Sequence, residues 1–214
     1  MTDANLSVLT PERPPEGTAT IVGVVLAAGR SQRFGDQNKL LAPLAGEPLV
    51  RHAVETLLET PLSSVYAVVG HESDRVREAV ADLPVTILEN ADYGEGQATS
   101  VRTAIEGVGE DVEAVLFALA DMPSVAPESV EKLIAAYEHG ASDALAAAHC
   151  GERGNPVLFD RRHFEALSDV DGDVGGREIL LSDEQSALVE TRDPGVRRDV
   201  DTPADLQALQ DEHR

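Results

Sequence analysis

The apolar run IVGVVLAA at residues 21–28 constrains the fold of this chain more than any other feature. The run is rich in β-branched residues and stops at Gly29, which is typical of a short strand buried on both faces of a parallel sheet. Comparable strands at 64–69, 85–88 and 114–120 alternate with stretches of helical periodicity that start near 48 and recur at 73–81, 97–108 and 127–138. This alternation predicts an α/β fold whose mostly parallel sheet carries helices on both faces.

The pattern changes after about residue 143. Strands at 144–149 and 156–159 flank a turn at 151–155, which predicts an antiparallel hairpin or a small inserted antiparallel subsheet. Helices near 161–167 and 176–182, a strand at 187–190 and a helix at 203–210 capped by Thr202 follow. Residues 1–19 are rich in Pro, Thr and Glu, so we expect a flexible tail before a single domain at 20–214.

The sequence carries 39 acidic against 17 basic residues, a formal net charge of −22. Such a surface repels nucleic acid and anionic membranes, which excludes both as partners. At molar salt the Debye length falls to about 3 Å and self-repulsion is screened, so we expect a halophilic protein. Without an apolar run long enough to span a bilayer, it should be soluble and cytoplasmic. Cys150 is the single cysteine, and we expect it to be a small buried residue at a strand end.

The strand at 21–28 leads into a cationic, glycine-containing loop. Residues 26–41 read LAAGRSQRFGDQNKLL, and Arg30, Arg33 and Lys39 concentrate positive charge in a chain that has only two lysines. Glycines let backbone amides approach an anion, and ligands of open α/β sheets bind where parallel strands end. These features favour a phosphate-binding loop, although composition alone is equally consistent with a surface loop whose basic residues pair with nearby acids.

The loop resembles the pattern LAAGxSxRxGxxK, with which the MobA-like NTP transferases begin. Further similar segments follow in the same order as in that family: Asn90 with GEGQATSVR (94–102), ADMP (120–123), GNPVLF (154–159), GDVGGR (172–177) and DVDTPADL (199–206). NKLLAPLAGEPLV (38–50) is similar to the molybdenum cofactor cytidylyltransferase branch. The chain departs from the family at Phe34, where Met is commoner, and at Asn155, where many relatives have His.

The resemblance implies a single Rossmann-like domain of the GT-A type and a Mg²⁺-dependent reaction. CMP would pass from CTP to the phosphate of a molybdopterin-type acceptor with release of pyrophosphate, and the product would reach a molybdoenzyme by transient contact. A guanylyltransferase using GTP, and a cytidylyltransferase acting on a sugar- or alcohol-phosphate, are alternatives with the same chemistry. A non-catalytic module that senses nucleotides is an alternative of another class.

The resemblance also implies a set of site residues. The expected catalytic residues are Lys39, Arg33 and Asp121, and the expected magnesium ligands are Asp121 and Asp201, with Asp199 as the alternate. The acceptor-binding residues would be Asn155, Asp173 and Arg177. The nucleotide-binding residues would be Ala27, Ala28, Gly29, Arg30, Ser31, Arg33, Gly35, Lys39, Asn90, Gln97 and Ser100.

Several of these residues have an ordinary structural alternative. Asp121 could cap the helix near 127, and Asp201 lies in an Asp-Thr-Pro sequence that also starts helices well. Asp173 and Arg177 could belong to an ordinary turn, and Arg102 could either face solvent or reach a ligand. The carboxylates nevertheless suit magnesium, which prefers oxygen ligands and keeps some of its water.

Overall fold

The computed structural model describes residues 6–31, 34–35, 37–170, 172, 176–182 and 185–212. The predicted site residues Arg33 and Asp173 lie outside these residues. In the described parts of the chain, no helix is long and apolar enough to cross a membrane.

An eight-stranded sheet forms the centre of the molecule and confirms the α/β prediction. Its strands follow the spatial order β1-β10-β8-β9-β7-β2-β5-β6. Every neighbouring pair is parallel except the two that involve β9. The strands are β1 (Ser7–Leu9), β2 (Ile21–Ala27), β5 (Ser64–Val69), β6 (Thr86–Glu89), β7 (Ala114–Leu119), β8 (Ala144–His149), β9 (Glu152–Asp160) and β10 (Ala187–Glu190). The central strands β2 and β7 are the continuous apolar runs, because helices cover both of their faces.

The helices divide between the two faces of the sheet. One face packs against α1 (Leu49–Leu58), α2 (Ser73–Ala79) and α4 (Pro127–Glu138), and the other packs against α3 (Gln97–Gly107), α5 (Phe164–Ser168) and α6 (Arg177–Ser182). Strand alternation produces this division: Val22 and Val24 of β2 face the second layer, whereas Ile21 and Val25 face the first.

The hairpin predicted after residue 143 exists, but it is part of the main sheet. The chain turns at 150–151, and β9 already begins at Glu152, so most of the predicted turn is strand. β9 inserts antiparallel between β8 and β7. The separate antiparallel ribbon lies elsewhere, where β3 (Pro43–Leu44) pairs with β4 (Glu47–Pro48).

A third, smaller core joins the loop after β2 to the carboxyl-terminal part of the chain. Phe34 packs with Leu44 of the ribbon, with Val200, and with Leu206 of α7 (Pro203–Glu212). The conservative replacement at Phe34 is thus a packing residue, and it holds the loop after β2 against the segment that carries Asp201.

Part of the segment expected to be a flexible tail, residues 6–19, is described by the structure and contacts the rest of the chain. Ser7–Leu9 forms an edge strand parallel to β10. The backbone amides of residues 16–19 all donate to the carboxylate of Glu138, with N···O distances of 2.5–3.1 Å. Composition could not predict this order, because both partners lie more than 100 residues away in sequence.

Candidate active site

The loops that follow the central parallel strands enclose a cleft of about 640 Å³. Nine residues predicted from the sequence line it: Ala28, Gly29, Arg30, Ser31, Lys39, Gln97, Ser100, Asp121 and Asp201. The open end of a parallel sheet is where such folds bind their ligands, and residues distant in sequence meet there because several strands end together.

The loop after β2 is shaped by its own side chains. The Ser31 hydroxyl accepts a hydrogen bond from the backbone amide of Lys39 (3.1 Å) and donates one to Oδ1 of Asn38 (3.3 Å). The same Asn38 oxygen accepts from the amide of Leu40 and so starts a short 3-10 turn, Lys39–Leu41. These contacts fix the backbone from which the Lys39 side chain extends into the cleft.

Lys39 is bound by both predicted metal ligands. Its Nζ lies 2.6 Å from Oδ2 of Asp121 and 2.8 Å from Oδ1 of Asp201. The side chains are 12%, 21% and 33% exposed, respectively, so solvent reaches the Asp201 carboxylate most easily. Burial lowers the pKa of the Lys39 ammonium, but the two carboxylates, Asp121 above all, more than offset this and raise it above 10.5.

The structure resolves the alternative readings of the two aspartates. Helix α4 has Ala126 at its N-cap and no side-chain cap, so Asp121 does not cap it. At the start of α7, the amide and hydroxyl of Thr202 donate to Oδ2 of Asp205, at 2.7 and 2.8 Å. Thr202 and Asp205 therefore form the helix start, while the Asp201 carboxylate contacts Lys39. The alternate ligand, Asp199, is exposed and does not line the cleft.

The carboxylate pair fits a divalent cation. Oδ1 of Asp121 is buried and has no hydrogen-bond partner among the described residues, which is costly for a carboxylate oxygen unless a cation meets it. Within the described chain, no group of three or more His, Cys, Asp and Glu residues could hold a metal. A site here would therefore consist of two carboxylates completed by substrate phosphate and water, which suits magnesium.

Three residues predicted to bind nucleotide lie away from the cleft surface. Ala27 is a core residue of β2, and Gly35 forms a positive-φ turn (+85°) outside the cleft. Asn90 is 3% exposed, and its amide donates to the hydroxyls of Thr99 and Ser100 (2.8 and 3.0 Å). Asn90 thus holds the first turn of α3 in place from the side away from the cleft. Of Asn90, Thr99 and Ser100, it is Ser100 that lines the cleft.

The predicted acceptor residues Asn155 and Arg177 line a second hollow, of about 240 Å³, next to the cleft. The two share the walls formed by Leu26, Gln97 and Leu119. Arg153, which the sequence did not single out, also lines this hollow and could have been noticed as a cation two residues before Asn155.

Arg102 was expected either to face solvent or to reach a ligand, and the structure shows a third role. Its guanidinium donates to the carbonyl oxygens of Ser168 (2.9 Å) and Val170 (3.3 Å), so it fastens the segment after α5 to α3. Cys150 is exposed at positive φ (55°) in the β8–β9 turn, so its expected burial is wrong.

Tyr93 is a cleft residue that sequence reasoning missed. The Arg30 guanidinium carbon lies 5.5 Å from the centroid of its ring, within the range of a cation–π interaction, and the His71 ring lies 6.0 Å away on a tilted plane. A Cβ built on Gly70 would lie 2.6 Å from Cβ of Tyr93 and 2.9 Å from that of Ala28. The sequence offered one signal for this residue: Tyr93 directly precedes a glycine-rich segment, in a chain with only three tyrosines and four phenylalanines.

The mostly parallel sheet and the polar cleft at its carboxyl end place this protein among the α/β proteins that bind ligands where their parallel strands end. The model of the MobA-like NTP transferase domain matches residues 23–188. The chain therefore belongs to the MobA-like NTP transferase family, as its motifs predicted.

Similar proteins span nearly the whole chain. The purine catabolism protein PucB of Bacillus subtilis is 31% identical over 88% of this chain and 95% of its own. Nicotine blue oxidoreductase of Paenarthrobacter nicotinovorans is 30% identical over 88% and 96%. Among solved structures, Rv0371c of Mycobacterium tuberculosis covers 90% of this chain and 98% of its own at 27% identity, with a TM-score of 0.78. A structure of Rv0371c in complex with manganese has a TM-score of 0.75 over 90% of this chain, at 26% identity.

Proposed function

We propose that this protein transfers CMP from CTP to the phosphate of a molybdopterin-type acceptor, with a divalent cation, Mg²⁺ in the cell. A phosphate oxygen of the acceptor attacks the α-phosphorus of CTP. The bond between that phosphorus and the oxygen of the β-phosphate breaks, and pyrophosphate leaves with the electron pair. No covalent enzyme intermediate is required, because the acceptor supplies the nucleophile itself.

The observation that carries this proposal is the meeting of Lys39, Asp121 and Asp201 in one cleft. The two aspartates come from segments 80 residues apart in sequence, yet a single ammonium contacts both. Two carboxylates would hold a metal ion that neutralises charge on the phosphates as the pyrophosphate departs. The manganese complex of Rv0371c supports a divalent cation in proteins of this kind.

Lys39 serves as the counterion of the carboxylates in the substrate-free cleft. Asp121 and Asp201 would hold the metal ion, and the Lys39 ammonium, no longer needed as their counterion, would face the triphosphate. There it would stabilise the negative charge that grows on the leaving pyrophosphate, together with Arg33 of the same loop. The backbone amides around Gly29 would hold the phosphates, since a glycine lets them approach closely.

The cleft and the adjoining hollow support separate places for nucleotide and acceptor. Ala28, which is 5% exposed, lines the cleft directly after β2. Its methyl group would take up space beside the base, which favours a pyrimidine over a larger purine. The hollow combines apolar walls, including Phe117 and Phe159, with the cations Arg153 and Arg177. That combination suits an acceptor with a flat ring system and a negative charge.

Nicotine blue oxidoreductase introduces a different chemistry, since its name describes a redox enzyme. Hydride transfer gives no role to a pair of carboxylates gathered around a lysine, whereas nucleotidyl transfer uses all three groups. The arrangement in the cleft therefore favours nucleotidyl transfer for this chain.

Pyrophosphate release with each of the four NTPs tests the proposal. The acceptors would be molybdopterin, a sugar phosphate and an alcohol phosphate, with Asp121→Asn as the inactive control and oxidation of reduced pyridine nucleotide followed in parallel. We expect release with CTP and molybdopterin that requires Mg²⁺. Pyrophosphate release only with GTP, or only with an acceptor other than molybdopterin, would contradict the proposed substrates but not nucleotidyl transfer. Oxidation of pyridine nucleotide without any release of pyrophosphate would overturn both the substrates and the chemistry.

A further inference from the structure

Asp193 lies outside the cleft but fastens together the two loops that carry its aspartates. One segment runs from Asp121 into the first turn of α4 at Ser129, and the other runs from Asp193 to Asp201. We call these segments the paired loops. Their spacing is symmetrical: in each segment, the cleft aspartate and the residue at the fastened end are eight positions apart in sequence.

The Asp193 carboxylate uses both of its oxygens. Oδ2 accepts hydrogen bonds from the amide of Ala126 (2.9 Å) and the hydroxyl of Ser129 (2.8 Å), both in the opposite loop. Oδ1 accepts from the amide of Gly195 (2.7 Å) in its own loop and starts the short 3-10 turn Pro194–Arg197. Asp193 is thus bound to both loops at once.

Contact between the paired loops continues toward the cleft. A Cβ built on Gly195 would lie 2.0 Å from the carbonyl oxygen of Ser124, so only glycine allows this approach. At the cleft end, the amide of Val200 donates to the carbonyl oxygen of Asp121 at 2.8 Å. The next residue after Val200 is Asp201, whose carboxylate shares the Lys39 ammonium with Asp121.

We propose that Asp193 is a positioning residue that sets the affinity of the cleft for its divalent cation. The inference rests on the proposed function, since it takes Asp121 and Asp201 as the ligands. Metal coordination tolerates displacements of only about 0.2 Å in ligand distance. Loosening one of the paired loops against the other would let the two carboxylates shift relative to each other, which weakens metal binding. Residues behind the ligands commonly change metal affinity by roughly 10–100-fold, which sets the scale expected here.

Glu138 provides a matched control for an ordinary loss of stability. It is also a carboxylate that accepts several hydrogen bonds, from the amides of residues 16–19, and it holds a segment that does not line the cleft. Replacing either carboxylate by its amide removes acceptor capacity while nearly conserving shape. Only Asp193→Asn, however, should alter the cleft.

The experiment is a titration of each variant with Mn²⁺ in the presence of CTP and without acceptor, followed by electron spin resonance of free Mn²⁺. Molar KCl screens the diffuse attraction of Mn²⁺ to this acidic protein, and Asp121→Asn reports binding outside the cleft. Circular dichroism and thermal unfolding establish that each variant is folded. We expect half-saturation to need about tenfold more Mn²⁺ in Asp193→Asn, and unchanged Mn²⁺ binding in Glu138→Gln.

Asp193→Ala should shift half-saturation further. If that variant does not fold, Asp193→Asn and the milder Ser129→Ala decide the matter, with a smaller shift in the same direction expected for the latter. A folded Asp193→Asn that binds Mn²⁺ like the unmodified protein would overturn this inference alone, as would an equal shift in Glu138→Gln. If the unmodified protein shows no Mn²⁺ binding beyond that of Asp121→Asn, the metal role in the proposed function fails as well.

Discussion

Replacing Lys39 by methionine should make the stability of this protein depend on divalent cations. Methionine keeps most of the apolar stem but removes the ammonium that lies 2.6 Å from Asp121 and 2.8 Å from Asp201. Two carboxylates in a half-buried cleft then lose the ammonium that they share. Such a pair destabilises the folded state, because charge removed from water must be compensated.

The size of the effect follows from the contacts that are lost. A hydrogen bond between charged groups contributes about 1.5–3 kcal/mol to stability. Asp201 is 33% exposed, so solvent screens its share, and we expect a total loss of roughly 2–4 kcal/mol in the metal-free protein. For a domain of this size each kcal/mol corresponds to roughly 2–4 °C in Tm, so the loss should be about 4–16 °C.

Magnesium should restore much of that loss. In the unmodified protein a metal ion must displace the Lys39 ammonium before it gains the carboxylates, whereas in Lys39→Met that ammonium no longer competes for them. Thermal unfolding with and without Mg²⁺ should therefore show a larger rise in Tm for the variant, by mass action. Turnover should nevertheless fall by about a hundredfold even at saturating Mg²⁺, because the charge facing the leaving pyrophosphate is gone.

The other lysine of the chain provides the control. Lys132 donates to the backbone carbonyl of Thr191 and not to a carboxylate, so Lys132→Met should lose stability without any added response to Mg²⁺. If Mg²⁺ stabilises Lys39→Met no more than the unmodified protein, the carboxylates beside Lys39 are not a cation site. The explanation of the cleft given above would then be refuted.

Three further predictions concern single residues. Asp121→Asn should abolish turnover while the fold is retained, because several kcal/mol of transition-state charge stabilisation disappear and each ~1.4 kcal/mol is tenfold in rate. Near-normal turnover of this variant at saturating Mg²⁺ would contradict the role of Asp121 as a metal ligand. Ala28→Gly should narrow a preference for CTP over GTP that is worth about 1–3 kcal/mol. Turnover with equal concentrations of CTP and GTP in one reaction measures this preference. Predominant use of GTP by the unmodified protein would refute the assignment of cytosine as the base. Burial raises the pKa of Glu138, but the amides of residues 16–19 outweigh it and hold the pKa below 4.5. Its contribution to stability is therefore present above pH 4.5 and is lost as the pH falls through the folded value, so hydrogen exchange at residues 16–19 should rise in acid, and the step should be missing in Glu138→Gln.

The fold was predictable from the sequence because its strands are short apolar runs and its helices have one apolar face. β5 has the predicted limits, and β2 and β7 each end one residue before them. The position of β9 was harder to foresee, since an antiparallel strand between two parallel ones depends on contacts across the sheet. The edge strand at 7–9 was missed for the same reason, because within the described parts of the chain it pairs with β10 alone, 180 residues later.

The site was predictable where chemistry requires one residue type at one place. The structure brings together Lys39, Asp121 and Asp201, and each of them combines a motif with a charge in the sequence. Asp121 also follows the end of a strand. Asn90 was misplaced, since a motif shows that an amide is needed but not whether it faces the ligand or braces Ser100 from behind. Asp193 carries no local signal of its function, because that function arises from hydrogen-bond partners brought close only by the folded chain. Tyr93 had a weak local signal, its position before a glycine-rich segment, but its contact with Arg30 also depends on the fold.

The charge of the cleft gives the divalent cation a further purpose. Among the described residues that line it, two are cations, Arg30 and Lys39, and two are anions, Asp121 and Asp201, so these charges cancel. These four residues alone, on a chain of net charge −22, offer a polyanionic triphosphate no net positive charge. A divalent cation on the two carboxylates would add positive charge and would leave the Lys39 ammonium to the triphosphate. We therefore expect nucleotide and metal to bind together, each weakly without the other.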